Sequence, residues 1–386
     1  LKKKILIVFG TRPEAIKMAP LVQEFQKNSD IYETVICVTG QHRQMLDQIL
    51  AMFRIIPDYD LHTMKRNQDL FEITTGVISG LKEILVKESP FMVCVQGDTT
   101  TSFAAALSAF YLRIPIAHVE AGLRTFDIYN PWPEEMNRSL ISRLATWHFT
   151  PTLVTKQNLL AENIKEDRIV LTGNTSIDAL QTMITHLNNA KELEAEIRTN
   201  ISQEGFNLDR LNGKRKLILV TSHRRENIGI GLQNICQAVL NLSHLHPDID
   251  FVYPVHMNPY VSNQVHNILG DNSINENVFL INPLGYLQFI YLMSKTYLIL
   301  TDSGGIQEEA PALGIPVLVM RDTTERPEAV EAGTAKLVGT NSELIELSVN
   351  ELLNNPTMYA SMAFRANPFG DGKAAERIVS FIKSLE

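Results

Sequence analysis

The chain has three cysteines, Cys37, Cys94 and Cys236, among 386 residues, and no CxxC pair. An odd count, with two in apolar strand-like runs and one in a helical pattern, speaks against a disulfide framework and for reduced core thiols in a cytoplasmic protein. There is no HxxxH pair, and His42, His118, His223 and His256 are dispersed, so no metal site is expected. No run reaches the ~18 apolar residues of a membrane helix, and no membrane partner is expected. Lys2-Lys3-Lys4 before Ile5 to Phe9 superficially resembles a signal peptide. The apolar stretch is too short, no small-residue cleavage site follows, and Arg12 interrupts it, so a buried first strand is expected. No dense Lys/Arg block offsets the formal net charge of −8, which argues against a nucleic-acid surface. Two nucleotide signatures are missing as well. Gly229-Ile230-Gly231-Leu232-Gln233-Asn234 lacks the third glycine of GxGxxG, and Gly372-Lys373 lacks the rest of GxxxxGK[ST]. No nicotinamide, nucleoside triphosphate or other cofactor is implied, and no solenoid-type repeat appears.

What is present is an alternation of short apolar runs and helical patterns. Strands are expected at 4–9, 34–39, 91–96, 114–119, 146–150 and 168–172, then at 216–221, 251–255, 278–281, 297–301 and 316–320. Apolar runs of this length between amphipathic helices indicate parallel sheets covered on both faces. Hydrophobic content of 45% and charged content of 20% suit a globular α/β protein, and 386 residues exceed one ordinary core. The expected fold is two Rossmann-like parallel-sheet domains facing a cleft, with a boundary at Gly173-Asn174-Thr175-Ser176. The first domain is 1–174 and the second 175–369, while 186–215 reads as a solvated helix and loop.

Polar residues cluster just after the apolar runs, where ligands of open parallel sheets bind. Gly10-Thr11-Arg12-Pro13-Glu14 follows the first run. Thr11 and Glu14 read as a capping box with Pro13 in the first turn, and the helix N-terminus, with Arg12 and Lys17, suits a phosphate. Gln96-Gly97-Asp98-Thr99, His118 to Arg124, Ser222 to Asn227 and Thr301-Asp302-Ser303-Gly304-Gly305 hold equivalent places. Each has a plainer reading. Asp98 could be the N-cap of a helix starting near Thr100. Glu120 could pair with Arg124. Glu134 and Glu135, after Pro133, could simply favour a helix N-terminus. Phe289 could be core, Glu309 an ordinary acidic residue early in a helix, and Arg326 a solvated loop arginine.

Taken jointly, these motifs and Pro131-Trp132-Pro133-Glu134-Glu135 resemble the non-hydrolysing UDP-N-acetylglucosamine 2-epimerase family, from Gly10 to about Gly372. The resemblance implies the GT-B-like two-domain architecture, with the last helix (370–386) packing back on the first domain. It implies reversible epimerisation at C2 of UDP-N-acetylglucosamine, through loss of UDP to 2-acetamidoglucal and re-addition. Asp98, Glu120, Glu134 and His223 carry the chemistry in that reading. Arg12, Lys17, Phe289, Ser303, Gly304, Gly305, Glu309 and Arg326 bind substrate. A second UDP-N-acetylglucosamine acts as allosteric activator at Gln41, His42, Gln44, Arg66, Glu134, Arg224 and His256, and the protein is a homodimer. The alternatives are a hydrolysing 2-epimerase or a UDP-sugar glycosyltransferase of the same architecture. A non-catalytic UDP-sugar sensor could afford to lose one of the three carboxylates, and none is lost.

Overall fold

The computed structural model describes residues 2–40, 43–63, 68–270 and 276–385. The chain divides into two compact units, Leu1–Ala179 with Phe369–Glu386, and Leu180–Pro368. The division falls inside the helix Thr175–Asn189.

In the first unit the strands are β1 (Lys3–Phe9), β2 (Tyr32–Val38), β3 (Tyr59–Asp60), β4 (Met92–Gln96), β5 (Ile116–Val119), β6 (Trp147–Thr150) and β7 (Ile169–Leu171). They form one sheet in the order β3-β2-β1-β4-β5-β6-β7, and every pair is parallel. The second unit contributes β8 (Lys216–Thr221), β9 (Ile249–Pro254), β10 (Val278–Ile281), β11 (Leu298–Thr301), β12 (Val317–Val319) and β13 (Ala335–Leu337). Its order is β10-β9-β8-β11-β12-β13, again all parallel. The α/β class and the two parallel sheets agree with the expectation. The short edge strands β3 and β13 were not expected. In both sheets chain order reverses beside the first strand, between β1 and β4 and between β8 and β11.

The strands are buried because helices cover both faces. Leu6, Val8, Val93 and Val95 meet Ala104, Ala105 and Ala106 of the helix Thr100–Tyr111, whose small side chains let it lie close to the sheet. Ile218, Val220, Phe251 and Leu300 do the same work against Ile235 and Val239 in the second unit. The thiols of Cys37, Cys94 and Cys236 are buried, and burial pushes each up to about 12, which makes them poor nucleophiles.

The stretch 186–215 agrees with the expected helix and loop, with a narrow buried stripe on the helix. It holds the helix Lys191–Gln203, whose Ile197 and Ile201 are buried under a charged outer face. The final helix, Ala374–Ser384, belongs to the first unit. It buries Ile378, Val379 and Ile382, and Phe381 meets Trp147 edge-on at 5.0 Å. Gly173 and Gly370 let the chain make this return. Both have positive φ, 88° and 127°, and a Cβ on either would lie 3.2–3.3 Å from the other's Cα. Among the described residues no helix is long and apolar enough to cross a membrane.

Candidate active site

Each unit gathers polar side chains at the carboxyl ends of its strands, beside the point where strand order reverses. In the first unit Glu120 follows β5 directly. It is buried and left-handed, with φ of 59°, a conformation that costs a non-glycine residue about 1 kcal/mol or more. Its carboxylate is fully engaged. Lys17 Nζ donates to Oε1 at 2.5 Å, Asn174 Nδ2 donates to Oε1 at 2.9 Å, and Gln96 Nε2 donates to Oε2. Arg124 is not its partner. That guanidinium instead pairs with Glu162 at 2.5 Å. Lys17 is therefore bound to a carboxylate here, in addition to being a candidate phosphate cation.

One strand over, Asp98 follows Gly97 at the end of β4. It is not the helix cap. Thr99 is, accepting from the Ser102 N–H at 3.0 Å. Asp98 Oδ2 receives Arg138 Nη2 at 2.5 Å, and its side chain is 24% exposed. Burial lifts its carboxyl above the ordinary range, Glu120 adds to the lift, and Arg138 and Lys17 pull against it. His118 Nε2 donates to the Gly97 carbonyl at 2.7 Å, which fixes the turn between Gln96 and Asp98. Burial pushes that imidazole down to about 4, so it is neutral and its proton is the one donated.

Glu134 and Glu135 open the helix Glu134–Leu144, and the structure separates their tasks. Glu135 is buried, accepts from the N–H groups of Thr125 and Phe126 at 3.1 and 3.0 Å, and pairs with Arg138 at 3.2 Å. Glu134 makes no side-chain hydrogen bond or ion pair among the described residues. The start of the first helix agrees with the sequence reading and adds further partners for Glu14. Thr11 and Glu14 form the capping box, and Glu14 Oε2 accepts from the N–H groups of Gly10 and Thr11 at 3.0 and 2.7 Å. Its Oε1 accepts from Thr99 and Ser102 at 2.6 and 2.9 Å. Glu14 thus satisfies the two main-chain N–H groups that precede the helix and ties them to the start of the helix Thr100–Tyr111. Gly10 is glycine for space. A Cβ there would meet Thr39 Oγ1 at 2.1 Å.

In the second unit the organising group is Asp302, which follows β11 directly and is 0% exposed. It accepts from Ser222 Oγ at 2.9 Å, the N–H groups of His223 and Arg224 at 3.0 and 2.9 Å, and Asn227 Nδ2 at 3.1 Å. Burial would raise this carboxyl. The hydrogen bonds from His223, Arg224 and Ser222 outweigh burial and hold it below the ordinary range. His223 Nδ1 lies 3.2 Å from Oδ1, and 40% of the His223 side chain is exposed. The His256 ring stacks on His223 at 5.9 Å and 17°.

Ser303 follows Asp302, and its N–H donates to Thr301 Oγ1 at 3.0 Å. A Cβ on Gly304 would lie 3.8 Å from Arg224 Nη2 and 3.9 Å from Arg326 Cζ, so both guanidiniums crowd this backbone. At Gly305 nothing lies within 4 Å. Arg326 is not merely solvated. Its Nε donates to buried Glu308, while neighbouring Glu309 is half-buried. Phe289 is half-buried in the first turn of the helix Tyr286–Ser294, which follows β10. Arg224 pairs with Glu325 at 3.4 Å.

The proposed regulatory set is only partly visible. Gln41, His42 and Arg66 lie outside the described residues, and of Gln44 only the backbone, in the helix Arg43–Met52, is described. Arg224 and His256 are brought beside His223. Sequence reasoning gave no role to Gln96, Asn174, Arg138, Asp302 or Glu308. The available signal was a polar residue at the end of an apolar run, which marks Gln96 and Asp302 but not the others. Among the described residues no group of three His, Cys, Asp or Glu side chains could hold a metal ion.

A family model described as "UDP-N-acetylglucosamine 2-epimerase" matches residues 23–383. The chain is 53% identical over 380 residues to the UDP-N-acetylglucosamine 2-epimerase of Campylobacter jejuni, covering 98% of this chain and 97% of that protein. It is 53% identical over 381 residues to the protein of the same description from Salmonella typhimurium, covering 99% and 98%. The crystal structure of UDP-GlcNAc 2-epimerase from Neisseria meningitidis bound to UDP-GlcNAc matches with a TM-score of 0.88 and 50% identity, over 99% of this chain and 100% of that one.

Proposed function

The chain belongs to the UDP-N-acetylglucosamine 2-epimerase family, an assignment that makes it an enzyme of that activity, and on that premise we propose a non-hydrolysing elimination and re-addition mechanism. A carboxylate takes the C2 proton, the C1–O bond breaks with its electron pair leaving on UDP, and 2-acetamidoglucal forms. A carboxylic acid then returns a proton to the opposite face of C2 while UDP attacks C1. The manno epimer results with the nucleotide attached, and no redox cofactor takes part.

Asp98 and Glu134 are the proton carriers in this scheme. Burial lifts the Asp98 carboxyl, the direction that suits a proton carrier, and Glu134 is not committed to a structural partner among the described residues. Glu120 stays a fixed anion, held by Lys17, Gln96 and Asn174. Arg12, Lys17, His223 and Arg326 meet the negative charge of the leaving diphosphate, with the Ser303-Gly304-Gly305 backbone. Phe289 serves the uracil and Glu309 the ribose. The observation that carries the reading is the placement of Asp98 and the Lys17–Glu120 pair at the carboxyl ends of the adjacent strands β4 and β5.

A second UDP-N-acetylglucosamine, bound through the set that includes Arg224 and His256, is the proposed activator, and the working form is a homodimer. Sigmoidal substrate dependence and a dimeric mass in solution are the expected results. The mechanism itself is tested by proton NMR of UDP-N-acetylglucosamine turned over in deuterated water. UDP-N-acetylmannosamine carrying deuterium at C2 is expected. Free N-acetylmannosamine with UDP would replace this reading by the hydrolysing one.

A further inference from the structure

We propose that Asp302 is a positioning residue for His223, fixing the imidazole with its proton on Nδ1 and so presenting Nε2 outward. The inference rests on the reading in which His223 acts on the substrate diphosphate.

Three observations carry it. Asp302 Oδ1 lies 3.2 Å from His223 Nδ1, and a buried carboxylate held ionised by four other donors accepts a proton there but has none to give. The same carboxylate takes the backbone N–H of His223, so ring and main chain are tied to one buried anchor and the ring has little freedom to turn. From the other side the His256 ring lies flat on it at 5.9 Å. His256 is itself fixed, because its Nδ1 accepts the N–H of Asn258 at 3.1 Å and that nitrogen must carry no proton. The stack therefore sets a ring that is itself held in place against the face of His223. An imidazole ordered on two sides, with one nitrogen committed and 40% of its side chain exposed, has its second nitrogen for the ligand.

The arrangement differs from a loop that merely needs an acidic anchor. Ser222 Oγ, Asn227 Nδ2 and two main-chain N–H groups would satisfy an aspartate without any imidazole. That the ring nitrogen joins them makes the carboxylate a shared anchor for backbone and side chain.

Two measurements test the proposal. The first uses the unmodified protein. Long-range proton–nitrogen NMR of ring-labelled histidine, with the His223 signal identified by its loss in His223→Gln, reports which nitrogen bears the proton. A proton on Nδ1 throughout the titration is expected, and a neutral ring protonated only at Nε2 overturns the proposal. The second is a double-mutant cycle. Asp302→Asn, whose amide oxygen still accepts main-chain N–H groups, is expected to lower kcat about 10- to 100-fold with KM for UDP-N-acetylglucosamine within about threefold. In the His223→Gln background the same change is expected to cost almost nothing, because the residue it orients is gone. An equal loss in both backgrounds overturns the proposal and makes Asp302 a loop anchor only. Should His223→Gln alone keep full turnover, the functional reading of His223 fails, while the NMR result still decides whether Asp302 sets the ring. The NMR result also decides if Asp302→Asn does not fold.

Discussion

Two aspartates occupy the same topological address in the two units, and their carboxyls are driven in opposite directions. Asp98 follows β4 and Asp302 follows β11, each the strand beside the reversal of order. Burial raises both. Asp98 has a single charged donor, Arg138, and Glu120 nearby, so it ends above the ordinary range. Asp302 faces the His223 side chain, the main-chain N–H of Arg224 and the Ser222 hydroxyl, which together outweigh burial, so it ends below. The fold supplies a position, and the number of donors decides whether the carboxyl stored there can exchange a proton or serves as a permanent anchor.

The comparison breaks most visibly at Asp98. Asp98→Asn removes a proton carrier but keeps a polar group of the same shape. Turnover is expected to fall by about 10³-fold or more, with UDP affinity within about threefold. Initial rates with titration calorimetry check it, and retained turnover would remove Asp98 from the mechanism. Next in size is the pair beside it. Glu120→Gln leaves the Lys17 ammonium, only 20% exposed, without its carboxylate. Loss of about 3 kcal/mol of folding stability is expected, from a partly buried charge stripped of its partner. Urea unfolding measures this, and an unchanged midpoint would show that Lys17 finds water instead.

Much of this was open to sequence reading, for a definable reason. Apolar runs such as Ile5–Phe9 and Lys216–Thr221 report a two-sided burial that only a covered parallel sheet provides, so the class and most strands follow. β3 and β13 do not, because two or three residues with Asp60 or Lys336 among them carry no periodic signal. Within the site, Asp98 and Glu120 stand out because a charge directly after an apolar run is conspicuous. Their partners do not. Glu120 meets Asn174 across 54 residues of chain and Lys17 across 103, distances over which no spacing rule applies. The role of Asp302 was hidden for a different reason. Two of its donors are main-chain N–H groups, whose direction depends on loop geometry and not on residue type, and the rest come from a loop 75 to 80 residues away in the chain. Arg326 shows the same limit, since its partner is Glu308 and a shift of one residue around a short helix separates it from Glu309.

A third aspartate, this one buried, sharpens the contrast. Asp178 accepts the N–H of Ala375 at 2.8 Å, at the start of the final helix. Burial raises its carboxyl to about 6 from 3.8, against the pull of the Ala375 and Ala374 N–H groups. A raised value means that the fold favours the protonated form. That stabilisation is complete below the unfolded value of 3.8 and is lost as pH rises through about 6. Above that pH the fold carries a buried charge at a cost on the order of 3 kcal/mol. Asp178→Asn retains an acceptor for Ala375 and cannot ionise. It is expected to be more stable than the unmodified protein near pH 7 and to show a flatter profile between about pH 4 and pH 7. Thermal unfolding across that window decides, and parallel profiles would mean that water reaches this carboxyl.

The smallest expected effect concerns the one strong donor to Asp98. Arg138→Met deletes the guanidinium whose charge and hydrogen bond favour ionised Asp98. Glu135, the other partner of Arg138, keeps its two main-chain N–H donors, so the helix start has reason to survive. With burial and Glu120 then unopposed on that side, the Asp98 carboxyl moves further up. If Asp98 removes the substrate proton, it must be ionised, so the acidic limb of kcat/KM is expected to shift to higher pH while the plateau falls only modestly. A limb that stays in place while the plateau drops would assign the titration to another group and leave Arg138 as a residue that shapes the site without tuning it.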